Sequence, residues 1–489
     1  MTPADPSTAP PSSSDSSSSN IPVAAKRLLP WLVAVAFFME SLDTTILNTA
    51  VPAISAALGV APLSMKAVLA SYTLSLAVFI PISGWMADRF GTRLVFASAI
   101  GIFTLGSFLC GISTSIHVLV AFRILQGCGG AMMVPVGRLT LVRTFAKSDL
   151  IRTMSFVSIP ALVAPMLGPI AGGLIVGYLH WRVIFFLNIP IGLAGLILVY
   201  LHLPDYREES TPPLDVVGLI LFGSGVALLS YVLEIFGEHT LSAAEMAGLL
   251  LLSLALLAGY GIHGNSLPFP LLKLKLFTIR TFRAAVSGSF FTRLGIGGVP
   301  FLLPLLYQVG LGFSPIQSGL LVMPQAIASM SMKPFMPRLL SRIGYRGVLI
   351  SNTIILGLLL MLFATIGVHT PVWAIVLQAF LYGAFTSLQY TSMTTLVFAD
   401  IDEKDASGAS SIASTMQQMS ISFGVAAAGL TTAFFVPGTH SNPGEMIQGI
   451  HKALIALGIL TIVSTIVFRS LRSGDGADVS LHKVVHPEG

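Results

Sequence analysis

Glu40 and Asp43 stand three residues apart in FFMESLDTTILNTAVPAI, on one face of a helix if that stretch is helical. Arg123 lies in AFRILQGCGG with Gln126 one turn on, and Arg293 lies in SFFTRLGIGG. Charged groups inside apolar runs are expensive to bury, so each is a candidate functional group. Burial raises the pKa of a carboxyl and a neighbouring arginine lowers it, so a carboxyl that exchanges such surroundings takes up and releases a proton. Asp43 suits that chemistry, with Glu40 beside it. A fixed Asp43–Arg123 pair that only locks helices together is the alternative. Arg293 and the amides Gln126, Asn188, Gln389, Gln417 and Gln418 are candidates for the walls of a small-molecule cavity.

Two further stretches suit movement rather than proton transfer. GWMADRFGTR, residues 84–93, packs Gly84, Asp88, Arg89, Gly91 and Arg93 into ten positions. An anion beyond a helix C-terminus is unfavourable, so Asp88 needs compensation from Arg89, Arg93 or a neighbouring helix N-terminus. Such a cluster can latch one state and release in another, whereas a plain loop would leave the same charges solvated. APMLGPIAGG, residues 164–173, joins Pro165 and Pro169 to Gly168, Gly172 and Gly173. Small residues allow close helix approach and proline weakens the local backbone ladder, which suits a hinge or a tight seam. A kinked packing helix is the alternative reading.

The elements that hold these residues follow from composition. The 489 residues are 54% hydrophobic and 10% charged, with mean hydropathy +0.85, whereas soluble domains carry about 25% charged residues. Breaks at charges and Gly/Pro clusters leave fourteen apolar segments, near 29–51, 67–87, 94–112, 117–137, 152–176, 183–202, 214–235, 244–262, 284–306, 318–335, 347–367, 372–396, 409–433 and 450–468. Segments of this length are transmembrane helices rather than barrel strands. The chain reads as an all-α membrane protein.

Of the 26 lysines and arginines, all but Lys66, Arg182, Lys452, Arg123 and Arg293 fall on one side if both termini are cytoplasmic. The positive-inside rule therefore accounts for the net charge of +5, and no nucleic-acid partner is expected. The Ser/Pro-rich residues 1–25 read as a disordered tail rather than a signal peptide, and 471–489 as a second polar tail. A weak repeat links residues 84–93 to PRLLSRIGYR, residues 337–346: Arg89, Gly91 and Arg93 align with Arg342, Gly344 and Arg346. The expected organisation is a six-helix bundle at 26–205, a two-helix linker at 206–265 and a second six-helix bundle at 266–470. Parallel repeats of this kind build two halves around a midplane site.

At these residues the chain resembles the major facilitator superfamily. GWMADRFGTR is similar to its signature loop between the second and third spans. LVAFRILQGCGGA resembles the proton-linked motif of the fourth span, and GPIAGG the antiporter motif of the fifth, with Ala164 in place of a usual glycine. LDTTILNTAVPAI and WRVIFFLNIPIG, with fourteen spans, resemble the fourteen-span drug:proton antiporters. The resemblance implies a major-facilitator fold, proton coupling through Asp43 and Arg123, gating at residues 84–93 and an antiport hinge at 168–173. It also implies multidrug efflux from a bacterial inner membrane. Ser341 stands where the signature loop has its acid, which removes the latch anion from the second half.

The expected protein is thus a proton-coupled exporter of small amphipathic compounds, in the bilayer as a monomer, with the proton as coupling ion and no other cofactor. Rival readings are an exporter of one metabolite (a sugar, amino acid or siderophore) and a membrane receptor without transport. An enzyme is not expected: the ten histidines form no H-x-x-H pair, Cys110 and Cys128 lack ligand spacing, and no G-x-x-x-x-G-K-[ST] phosphate loop occurs.

Overall fold

A computed structural model describes residues 23–235, 241–435 and 443–480. The tail expected at 1–25 lies outside these residues as far as position 22, as does 481–489 at the other end. With no water in hydrocarbon to satisfy backbone groups, long apolar stretches close their hydrogen bonds within helices. Among the described residues thirteen helical stretches are long and apolar enough to span a membrane. One of them, Pro315–Phe363, contains two helices separated by the turn Lys333–Phe335. The expected fourteen segments are therefore all helical.

In chain order these helices are α1 (Val23–Leu58), α2 (Lys66–Phe90), α3 (Thr92–Ile112), α4 (Ile116–Thr144), α5 (Lys147–Tyr178) and α6 (Asn188–His202). They continue as α7 (Val216–Ile235), α8 (Ala243–Ser266), α9 (Arg280–Ile296), α10 (Pro315–Ser331), α11 (Met336–Phe363), α12 (Val372–Val397), α13 (Ala406–Phe435) and α14 (Pro443–Phe468). α9 stops at Ile296, passes through Gly297 and Gly298, and resumes as the short helix Val299–Leu305. α7 and α8 pair as a hairpin that rests on α2 and α13. The hairpin is fastened by Asp215, which accepts from Gly218 N at 2.7 Å to cap α7, from Leu271 N at 3.1 Å, and pairs with His263 at 2.8 Å.

Packing divides α1–α6 from α9–α14, with α2 against α13 and α5 against α10 as the main seams between them. The two ends of the molecule differ. At the end away from Asp88, one continuous apolar cluster joins the halves, running from Ile46 and Val51 of α1 through Phe301 to Phe363 and Leu454. Gln308 donates to Thr49 O across that junction at 2.9 Å. At the Asp88 end, Phe37, Phe96 and Val136 pack within the first half, while Phe282, Tyr345 and Phe423 form a separate core in the second. Between these separated cores lies a cavity of about 1160 Å³.

Three local expectations change. Asp88 lies inside the last turn of α2 rather than beyond it, because the helix runs on to Phe90. Residues 337–346 are helical within α11 rather than a loop, broken only at Gly344. The repeat survives at the backbone: Gly91 and Gly344 both take positive φ, at 91° and 74°, a region nearly closed to residues with a Cβ. Arg138, counted outside the fourth span by its charge, lies within α4.

Candidate functional site

The buried centre of the first half is built on Asp43. α1 presents this side chain to α3, α4 and α6, where it is 1% exposed. Arg123 Nη1 donates to Asp43 Oδ2 at 2.6 Å, both groups being sealed from solvent. Gln126, one turn along α4, donates to Asp43 Oδ1 at 2.8 Å, and Asn188 at the start of α6 donates to the same oxygen at 3.1 Å. Ser107 of α3 accepts from both amides, at 2.6 and 3.1 Å. The Gln126 carbonyl in turn accepts from Arg123 Nη1 at 2.7 Å. Arg123 also lies 4.1 Å over the Tyr72 ring, a cation–π contact. The carboxylate therefore receives one guanidinium and two amides, the set that satisfies an ionised acid in a dry interior.

Glu40 belongs to a different environment. It sits nearly one turn earlier on α1, on the wall of the cavity beside Ser41. Arg138 of α4 lines the same wall and stands 5.5 Å from the Phe37 ring. Gly84 also borders the cavity, with no atom within 4 Å of the position a Cβ would take. Opposite are Ser289 of α9, Met393 of α12, and Gln417 and Gln418 of α13. The two neighbouring acids are thus split between a sealed network and an open chamber.

The charges around Asp88 are compensated by residues that local spacing does not suggest. Arg143, from the end of α4, reaches both Asp88 Oδ1 and Glu208 Oε1 at 2.8 Å. Arg93 donates from Nε to Leu203 O at 2.6 Å, and its backbone N–H donates to Asp205 at 3.1 Å. Glu208 N donates to Asp88 O at 3.0 Å, so the stretch after α6 is tied across the end of α2. Among the described residues Arg89 forms no ion pair. Ser341, at the equivalent place in the second half, donates to Arg338 O.

In α5 the prolines stand within one continuous helix, and the glycines form contacts. A Cβ on Gly168 would strike Thr45, and one on Gly172 would strike Ile46 O, both of α1. Gly173 faces Pro315 of α10, and Gly319 of α10 reciprocally faces Pro169. The stretch is a double seam, to α1 on one side and to the opposite half on the other.

Of the amides expected on cavity walls, Gln417 and Gln418 are there. Gln126 and Asn188 are buried around Asp43 instead. Gln389 is fully buried, accepting from Asn352 and donating to Thr353, both at 2.7 Å, which makes it a structural link between α12 and α11. Arg293 is 4% exposed and lies behind Ser289. Sequence reasoning missed Ser107, Tyr72, Arg138, Arg143 and Glu208. The first two had only their polarity inside apolar spans as a signal. Arg143 and Glu208 meet Asp88 through contacts distant in sequence.

A bundle of membrane helices with a chamber of about 1160 Å³ between two halves, and a buried ion-pair network in one of them, defines a solute transporter rather than an enzyme. The profile of the Major Facilitator Superfamily matches residues 33–425 and 285–480. The chain belongs to that superfamily. It is 41% identical over 425 residues to a Serratia proteamaculans (strain 568) protein named "Putative multidrug resistance protein MdtD", covering 87% of this chain and 88% of that one. An Escherichia coli O7:K1 protein of the same name is 42% identical over 405 residues, covering 83% and 86%. Among solved structures, a bacterial homologue of the human lysosomal transporter Spinster, in an inward-facing, unoccupied conformation, superposes with TM-score 0.65 at 14% identity. That match covers 92% of this chain and 98% of the other. A D-xylose-proton symporter gives TM-score 0.64 at 14% identity, covering 92% and 99%. At such identity these two establish the shared fold.

Proposed function

We propose that this membrane transporter exports small amphipathic compounds in exchange for protons, with Asp43 and Arg123 as the coupling centre. The observation that carries the reading is the division of the two α1 acids: Asp43 is sealed by Arg123, Gln126 and Asn188, while Glu40 faces the chamber. The names of the MdtD relatives support drugs as substrates. The excess of basic loops at the Asp88 end supports a cytoplasmic opening with both termini inside, in a bacterial inner membrane. On this reading the molecule is inward-facing and monomeric.

The contacts support one coupling step. Protonation of Asp43 cancels the charge that holds Arg123, and the neutral acid and the guanidinium then separate. Movement of α1 away from α4 carries Thr45 and Ile46, which bear on Gly168 and Gly172 of α5. α5 in turn holds α10 through Gly173 and Gly319, so a change at the acid reaches the seam that closes the far end. Arg143, Asp88 and Glu208 fasten the near end of the first half while this happens.

The test is accumulation of ethidium in efflux-deficient bacteria carrying wild type or Asp43→Asn at matched membrane levels, with and without an uncoupler. Wild type should lower accumulation, and both the substitution and the uncoupler should restore it. Export by Asp43→Asn that remains uncoupler-sensitive would remove Asp43 from the proton path.

A further inference from the structure

The two halves differ in charge at membrane depth. The first half holds Glu40, Asp43, Arg123 and Arg138. The second holds a cation alone: no acidic residue occurs between Glu245 and Asp400, yet α9 buries Arg293. Its Nε donates to Ser289 Oγ at 3.1 Å, and its guanidinium carbon lies 3.5 Å over the Tyr390 ring. Among the described residues Ser289 and Tyr390 are its side-chain partners, and no carboxylate reaches it. Arg293 stands thirteen residues past Arg280, about 20 Å along the helix from the charged end, well below any headgroup layer.

An aromatic face and the end of α9 at Ile296 each favour a cation there, but neither neutralises it. A guanidinium buried without a counter-ion is a group that an anion stabilises, through a pair of parallel charge-assisted hydrogen bonds. Arg293 itself does not border the chamber, but its hydrogen-bond partner Ser289 forms part of the chamber wall, with Val286 one turn before it. Gln417 and Gln418 of α13 stand on the chamber wall of the same half, and their amides can donate to an anion's remaining oxygens.

We propose that Arg293, behind Ser289, is the subsite for an acidic group (a carboxylate or a sulfonate) on the transported molecule. Substrates would then include anionic and zwitterionic amphiphiles, with any cationic end left to the Glu40 wall across the chamber. This rests on the export reading above and narrows its substrate class.

The experiment uses the full chain in phosphatidylcholine proteoliposomes, with fluorescein as the anionic probe and ethidium as the cationic one. Binding is measured by fluorescence polarisation and export by dye movement under a pH gradient. Wild type should handle both dyes. Arg293→Gln should weaken fluorescein binding and export by about tenfold or more, the loss of one desolvated charge-assisted pair, and leave ethidium unchanged. Arg293→Lys should retain part of the fluorescein activity. Ser289→Ala, which keeps the cation, should weaken fluorescein by a smaller factor and guards against a folding defect in Arg293→Gln. Equal loss of both dyes in Arg293→Gln, with fluorescein unaffected by Ser289→Ala, would make Arg293 structural and overturn the subsite. Competition between added phosphatidylglycerol and fluorescein would assign the site to a lipid phosphate, and also overturn it. Ethidium export without fluorescein export in wild type sinks this inference alone, whereas export of neither dye sinks the exporter reading beneath it.

Discussion

At the scale of single residues, the Asp43 network makes a prediction that separates stability from transport. Removing one partner of a buried ion pair leaves the other charge uncompensated, at a cost of roughly 3–5 kcal/mol. Arg123→Ala should therefore destabilise the folded protein strongly, read as a lowered unfolding midpoint in detergent. Asp43→Asn combined with Arg123→Gln removes both charges and keeps hydrogen-bonding groups, so much of that stability should return. Transport should not return, because no carboxyl remains at the centre. Recovery of both together would make the pair a fixed clamp. Asp43, Arg123 and Gln126 were legible in the sequence because charge inside an apolar run is rare. The roles of Asn188 and Gln389 were not legible. Both are amides in apolar spans, yet one completes the acid's shell and the other joins α11 to α12, and only the third dimension distinguishes them.

At the scale of helices, the close approach of α5 and α10 depends on paired glycines. Gly173 lies against Pro315 O and Gly319 against Pro169 O, leaving no room for a side chain on either. Gly173→Val should hold the far end of the two helices apart while leaving α5 helical, since valine is tolerated in a helix. The expected outcome is normal membrane insertion, loss of efflux, and faster labelling of a cysteine placed at Ile316 by a membrane-impermeant maleimide. Unchanged labelling with unchanged efflux would show that this seam does not need to close. Helix number and order were legible because lipid imposes length and hydropathy directly on sequence. Helix ends were less so. Charge marks where a chain can meet water, yet Arg138 and Asp88 remain inside helices that extend beyond the apolar core. The partner of Asp88 was misplaced for a related reason: Arg89 and Arg93 are near in sequence, but Arg143 is near in space.

At the scale of the whole molecule, the proposed proton exchange makes the number of carboxyls on its path decide what drives export. One charge moved through 100 mV yields about 2.3 kcal/mol and one pH unit about 1.4 kcal/mol. Together these roughly 3.7 kcal/mol support a gradient of several hundredfold for an uncharged solute exchanged for one proton. Asp43 as the sole coupling carboxyl means one proton per cycle, and exchange of one proton for a monovalent cation moves no net charge. Ethidium export should then follow the pH gradient alone, by about tenfold per pH unit. In proteoliposomes, valinomycin with potassium, which collapses the potential, should leave it unchanged, and nigericin, which collapses the pH gradient, should abolish it. Exchange of a proton for an anion moves net positive charge inward, so fluorescein export should fall when the potential is removed. Ethidium export that also falls with the potential would require a second proton. Glu40, the other α1 acid and already facing the chamber, is the group that would carry it, and Glu40→Gln should then make ethidium exchange insensitive to valinomycin.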